Sequence, residues 1–173
     1  MQHVVLVDEN DNPIGEIEKM EAHEKGLLHR AFSVFIFNPQ GLMLLQKRAG
    51  TKYHSADLWT NACCSHPGLD EEIVDAAVDR LQMEMGILTS LSKKFSFVYR
   101  AELDNGLIEH ELDHVLFGSY DGEPFPNPEE VADWRYVSME DLERELITHP
   151  EHFTSWFKLV FDQVKSELYQ SGS

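Results

Sequence analysis

Cys63 and Cys64 stand side by side ahead of Ser65-His66-Pro67. In an extended segment side chains alternate, so Cys64 and His66 share one face and Cys63 points to the other. A thiol and an imidazole presented together can act as a nucleophile pair, a metal site or an acid–base device. The competing reading is a pair of small core residues, since free cysteine is often buried. A second group is Leu107-Ile108-Glu109-His110-Glu111-Leu112. Glu109 and Glu111 are two apart, so on a strand their carboxylates project to one side, where like charges are unfavourable without a cation. A solvated outer face is the alternative, but the flanking apolar residues point to a central strand, and a metal between the carboxylates resolves the repulsion most simply. A third pair is His23 and His29. Six residues turn a helix through roughly 600°, so the two share no helical face and converge only if the chain turns between them, which Gly26 permits. Together His23, His29, His66, Glu109 and Glu111 offer three nitrogens and two carboxylates, a set suited to zinc or manganese and less selectively to magnesium.

A chain of 173 residues fits one domain spanning 1–173, long enough to bury a substantial core. No stretch approaches a membrane span, and the segment Met1-Gln2-His3 followed by Asp8 lacks the basic and apolar regions of a secretory signal, so a cytoplasmic protein is expected. With 14 basic against 31 acidic residues the net charge is −17. Such a surface repels nucleic acid and anionic lipid, which leaves neither as an expected partner. An anionic ligand would need a local cationic patch, and Lys47, Arg48 and Lys52 cluster suitably. Adjacent cysteines rarely bond to each other, so no disulfide framework is expected.

These residues must be held by a mixed set of elements. Strands are expected over residues 4–8 and 14–18, with a turn at Asn10-Asp11-Asn12-Pro13. A short helix over 18–24 ends at Gly26, and the apolar run 31–37 reads as a buried strand. The turn Asn38-Pro39-Gln40-Gly41 predicts that residues 42–48 return as its hairpin partner. A strand-like stretch covers 59–64, and Ile73, Ala77 and Leu81 mark a helix over 70–85 that Gly86 stops. Residues 95–103 and 107–117 read as strands joined at Asp104-Asn105-Gly106, residues 134–137 as a short strand, and 139–148 and 151–169 as helices. The expected class is α+β, an α/β/α sandwich on a mixed sheet.

At this level of detail the chain resembles the type 1 isopentenyl diphosphate isomerases, which are built on a Nudix-like fold. The resemblance runs from about residue 4 to about residue 156. Its anchors are Glu18-Lys19 with His23 and His29, Lys47-Arg48 with Lys52, and Trp59-Thr60-Asn61 leading to Cys64-Ser65-His66-Pro67. Further on come Arg80, Glu84-Met85-Gly86, Tyr99-Arg100-Ala101, Glu109-His110-Glu111 and Trp156. It implies interconversion of isopentenyl and dimethylallyl diphosphate by proton transfer through a carbocation-like state, without a flavin. By the same resemblance His23, His29, His66, Glu109 and Glu111 hold one divalent ion (manganese, zinc or magnesium). Cys64 and Glu111 then face each other across an apolar slot, exchanging protons on opposite sides of the double bond. Tyr99 helps relay the proton of Glu111, and Trp156 covers the developing cation. Lys19, Arg48, Lys52 and Arg80 meet the diphosphate, and Glu84 helps bind a magnesium ion that it chelates. The implied partner is a small isoprenoid diphosphate, and the implied state a monomer or weak dimer.

One departure separates the chain from Nudix hydrolases, whose helix carries several magnesium-binding glutamates. Aligned on Gly86, the polar positions of that pattern hold Ser65, Glu71, Asp79, Arg80, Met83 and Glu84, so two helix glutamates are replaced by Arg80 and Met83. A Nudix-type pyrophosphohydrolase of a nucleotide or related diphosphate is therefore the alternative function, and a non-catalytic metal-stabilised binding domain the third.

Overall fold

In the computed structural model, which describes residues 2–52 and 54–171, the chain opens with β1 (His3–Val7) and β2 (Pro13–Glu18), paired antiparallel. Met1 of the amino-terminal segment lies outside the described residues. Helix α1 (Lys19–Lys25) ends at Gly26, whose φ of 66° closes it in the left-handed conformation that glycine adopts without steric cost. Strand β3 (His29–Phe37) follows, then β4 (Met43–Arg48), β5 (Trp59–Thr60) and β6 (Cys63–Ser65). Helix α2 (Ile73–Met85) leads to the long strands β7 (Leu91–Glu102) and β8 (Ile108–Ser119). The chain closes with β9 (Val131–Val137), α3 (Met139–Thr148) and α4 (Ser155–Ser171).

The apolar run in β3 is the axis of the sheet. It pairs in parallel with β8 from His29↔Glu111 to Phe37↔Ser119, and antiparallel with β6 through Ser33↔Cys64 on its other side. The hairpin expected between β3 and β4 is confined to one pair at the turn, Phe37↔Met43, because β4 finds its long antiparallel partner in β9. Strands β3 and β4 therefore diverge from the turn, and β5 and β6 fill the wedge, β5 on β4 and β6 on β3. The single strand expected over 59–64 is broken in two by buried Asn61. Its Nδ2 donates to the carbonyls of Val34 and Cys63 at 2.9 Å each, replacing ladder bonds there.

Alternation along the strands sends two sets of side chains to two faces. Phe32, Val34, Ile36 and Cys63 pack with Ala77, Leu81 and Met85 of α2. Phe35, Phe37, Val115 and Phe117 pack on the opposite face with Leu142 of α3 and Phe157, Phe161 and Val164 of α4. The result is the expected α/β/α sandwich on a mixed sheet. Helix α4 starts at Ser155, later than expected, because Pro150–His152 forms a separate single turn and Thr154 docks on β5. There the Thr154 amide donates to the Trp59 carbonyl at 3.0 Å and its hydroxyl to Thr60 Oγ1 at 3.0 Å. No helix among the described residues is long and apolar enough to cross a membrane.

Candidate active site

The parallel register places His29 opposite Glu111, and the antiparallel register places Tyr99 opposite Glu111 and Ala101 opposite Glu109. The turn at Gly26 folds α1 back, so His23 meets this group with its ring centroid 5.4 Å from that of His29. His66, just beyond β6, closes it from the other side, 5.0 Å from His29 by the same measure. His29 Nε2 and His66 Nε2 lie 3.2 and 2.9 Å from Glu111 Oε2, and His23 Nε2 lies 3.5 Å from Glu109 Oε2. The Tyr99 hydroxyl meets both carboxylates, at 2.5 Å from Glu109 Oε1 and 2.7 Å from Glu111 Oε1. The five ligand candidates scattered over the sequence are thus brought together.

The electrostatics of this cage call for positive charge. Nδ1 of His23 is 2.8 Å from the Lys19 carbonyl, and Nδ1 of His29 is 2.9 Å from the Leu27 carbonyl. A carbonyl only accepts, so each Nδ1 carries the hydrogen and a neutral ring presents its Nε2 lone pair to a carboxylate oxygen. Two acceptors facing each other repel unless a proton or a metal lies between them. Burial pushes the His29 imidazolium down, but the Glu111 carboxylate outweighs it and the ring ends above its ordinary 6.5. Burial takes His66 down to about 4, against the pull of Glu111. Glu109 is raised by burial and by Glu111, whereas bonds from His29 and His66 overcome burial and hold Glu111 well below the usual carboxylate range. Outward-fixed Nδ1 atoms with inward Nε2 atoms and two convergent carboxylates are the donor set a divalent ion of the zinc or manganese kind requires. The residues fit such an ion.

The cage forms one wall of a cavity of about 60 Å³ that Cys64 also lines, together with Trp156 and Ser33. Burial raises the Cys64 thiol well above its usual range, and its Sγ lies 3.2 Å from Asn61 Oδ1 and 3.5 Å from Ser33 Oγ. The Ser33 hydroxyl in turn donates to Asp113 Oδ2 at 2.7 Å. Cys63 points the other way, fully buried in the core against α2. The slot is not the apolar one expected: among the described residues, Tyr99, Trp156 and Cys64 are its only largely apolar walls, and charged or polar side chains supply the rest. Trp156 is 4% exposed and packs edge-on against His54, with the Arg48 guanidinium 5.2 Å from its ring centroid.

Lys19, Arg48, Lys52 and Arg80 all reach the same cavity. Burial lowers the Lys19 ammonium, and Lys52, Arg48 and Arg80 lower it further, so charge on Lys19 is disfavoured beside its three cationic neighbours. An anion relieves that crowding. Glu84 stands among these cations, apart from the histidine cage: Arg80 Nε is 2.5 Å from Glu84 Oε2, and Gln46 Nε2 donates to Glu84 Oε1 at 3.1 Å. Lys47, the remaining member of the expected patch, does not line the cavity.

Several residues of the site were not foreseen. Asp113 extends the alternation Glu109, Glu111 by one further step of two, a signal present in the sequence. Burial and Glu111 raise its carboxyl well above the ordinary range. Glu130, which pairs with Lys52 and sits 3.4 Å from Arg80 Nη2, lies in an irregular segment before β9 and carries no local pattern. His54 lies in the loop after β4, beside the cationic patch, and its ring is 5.5 Å from that of His23.

Comparison with known proteins agrees with this geometry. The NUDIX domain family matches residues 27–157. Solved structures give the fold independently: a Deinococcus radiodurans protein superposes with a TM-score of 0.71 at 17% identity, covering 86% of this chain and 90% of that one. A MutT protein from Methanosarcina mazei gives 0.67 at 16%, covering 81% and 94%. The protein is a NUDIX-fold protein. Among curated relatives, an isopentenyl-diphosphate Delta-isomerase of Pectobacterium atrosepticum is 52% identical over 95% of this chain and 92% of its own length. Isopentenyl-diphosphate Delta-isomerase 1 of Aromatoleum aromaticum is 53% identical over 93% and 91%. The chain belongs to the isopentenyl-diphosphate Delta-isomerase family.

Proposed function

We propose that this chain interconverts isopentenyl diphosphate and dimethylallyl diphosphate, adding a proton at one carbon and removing one at another, in isoprenoid biosynthesis. The observation that carries the reading is one cavity lined by a thiol, a carboxylate hydrogen-bonded to a phenol, an indole and four crowded cations. Lys19, Arg48, Lys52 and Arg80 would hold the diphosphate, and Glu84 would help bind a magnesium ion that the diphosphate also chelates. Cys64 and Glu111 exchange protons with the two ends of the allylic unit. Tyr99, raised far above its ordinary value by burial and the neighbouring carboxylates, keeps its hydrogen in a bond to Glu111 and so holds that carboxylate in place as it gains and loses its proton. Trp156 lies against the tertiary cation, a contact worth about 2 kcal/mol when desolvated, so positioned acid and base groups and exclusion of water must supply the rest. When bound by His23, His29, His66, Glu109 and Glu111, a divalent ion of manganese, zinc or magnesium supplies the positive charge that keeps Glu111 ionised and oriented. The two diphosphates are isomers with no net oxidation or reduction between them, so the proton transfers need no flavin.

The pyrophosphohydrolase alternative is disfavoured by α2. Met83 replaces one glutamate and is 43% exposed, and Arg80 replaces another and neutralises Glu84. One domain spanning 1–173 suffices for the isomerase reading, which places it in the cytoplasm as a monomer or weak dimer acting on a small anion, with no nucleic-acid or membrane partner. The test is incubation with isopentenyl diphosphate and magnesium in deuterated buffer, with no flavin added. Dimethylallyl diphosphate carrying deuterium is expected; release of phosphate, or unchanged starting material from folded, metal-loaded protein, overturns the reading.

A further inference from the structure

His54 has no role in the account above. Its ring is 5% exposed, its Nε2 lies 3.9 Å from Glu109 Oε2, and its Nδ1 lies 3.1 Å from Ser55 Oγ. With Nδ1 engaged by the neighbouring hydroxyl, Nε2 is the inward atom, as in His23 and His29. His23, His54 and Glu109 each offer a donor atom within 4.8 Å of the others, and so do His23, His29 and Glu111. The two triads share His23, so they describe one cage.

The loop bearing His54 is held in place at a cost. Ser55 and Asp57 have φ of 53° and 61°, left-handed values that disfavour any residue with a side chain by about 1–2 kcal/mol each. Three bonds secure it: Arg48 Nε to the Ser55 carbonyl at 3.2 Å, Arg48 Nη2 to the His54 carbonyl at 3.2 Å, and the Ser55 amide to Asp104 Oδ1 at 3.1 Å. Strain that persists under such bracing marks a position where a side chain must point in a set direction. Here the direction is toward Glu109.

We propose that His54 is a further protein ligand of the divalent ion, bound beside His23 and Glu109, so that the cage offers four imidazoles and two carboxylates. The inference rests on the metal-binding reading of that cage. Six donors about 2.1 Å from an ion sit about 3.0 Å from their neighbours and about 4.2 Å from the donor opposite. The donor separations of 2.9, 3.2, 3.5 and 3.9 Å lie across that range. A fourth nitrogen also tilts the site away from magnesium and toward transition metals, which imidazole suits better.

The experiment strips the full chain with a chelator and titrates it with cobalt(II), zinc(II) and magnesium, recording dissociation constants and the cobalt visible spectrum. Wild type, His54→Ala, His54→Asn and, as a control, His29→Ala are compared, with circular dichroism to establish folding. Both His54 variants are expected to weaken cobalt and zinc binding by at least about tenfold, to lose less for magnesium, and to change the cobalt spectrum. Unchanged affinity and spectrum in either folded His54 variant, with His29→Ala impaired, overturns the His54 assignment and leaves the cage reading standing. Wild-type protein that binds no ion, or a His29→Ala variant that binds like wild type, overturns the cage reading itself.

Discussion

Cys64 and Glu111 sit on strands that flank β3 from opposite sides, Cys64 paired with Ser33 and Glu111 with His29, and both line one cavity. The central strand thus acts as a spacer between the two groups proposed to exchange protons with the substrate. Cys64→Ala removes one of them without touching the cage or the core. Turnover of isopentenyl diphosphate is expected to fall by about a hundredfold to ten-thousandfold, the range for loss of a positioned acid or base, with little change in melting temperature. A variant that keeps its turnover would return the thiol to the role of a packing residue.

Glu111→Gln should separate chemistry from binding. The amide keeps the shape of the side chain but neither takes up nor releases a proton at catalytic pH, whereas Lys19, Arg48, Lys52 and Arg80 are untouched. Calorimetric titration with a non-reactive diphosphate analogue in excess magnesium should give affinity within about threefold of wild type, while deuterium exchange into substrate is lost. Exchange at the wild-type rate would remove Glu111 from the mechanism.

Metal retention should depend on pH with a definite sign. His29 lies above its ordinary 6.5, so protons compete for its Nε2 already above that pH, while His66, at about 4, stays neutral far longer. Bound metal measured by elemental analysis is expected to fall as pH drops through that raised value. In chelated protein the ion pair of protonated His29 with Glu111 contributes stability that is complete below 6.5 and lost as pH rises through the raised folded value. The gap in melting temperature between loaded and chelated protein should therefore widen as pH rises from 6.5 through the raised folded value. A constant gap would mean that His29 is not a ligand.

Gly26→Ala tests how the turn serves the cage. A Cβ there would meet Ile108 Cγ2 at 3.2 Å in a left-handed backbone, and Ile108 immediately precedes Glu109. Urea denaturation is expected to show a loss of at least about 1–2 kcal/mol, and metal affinity should weaken in parallel because His23 and Glu109 shift together. Loss of stability without loss of affinity would show that the cage absorbs the displacement.

Phe157 is fully buried, stacked on Phe35 and Phe153, and lies one residue after Trp156. Phe157→Ala is expected to cost about 3–5 kcal/mol in chemical denaturation, and to lower turnover of the remaining folded protein because α4 carries Trp156. A cost below about 1 kcal/mol would show that the face against α4 refills the space.

Much of the site was legible because its signals are local. The alternation of Glu109 and Glu111, the Cys64–His66 pair and the glycine between His23 and His29 each follow from the period of one element. What resisted reading depends on contacts distant in sequence. The turn after Phe37 is a real turn, yet β4 leaves β3 for β9 because a strand of apolar residues gains more from a long ladder than from one pair beside a turn. Asn61 reads as one more strand residue until its side chain is seen to replace ladder bonds. His54 belongs to no periodic element, and only the fold brings it to Glu109.

The four clustered cations sit inside a molecule whose net charge is −17. A diphosphate approaching from solution is repelled at long range and attracted only near the mouth. Added salt shortens the reach of charge to about 10 Å at 0.1 M, weakening the distant repulsion before the close attraction. Encounter is therefore fastest at an intermediate ionic strength, which makes the dissolved ions around the enzyme a gatekeeper of its supply.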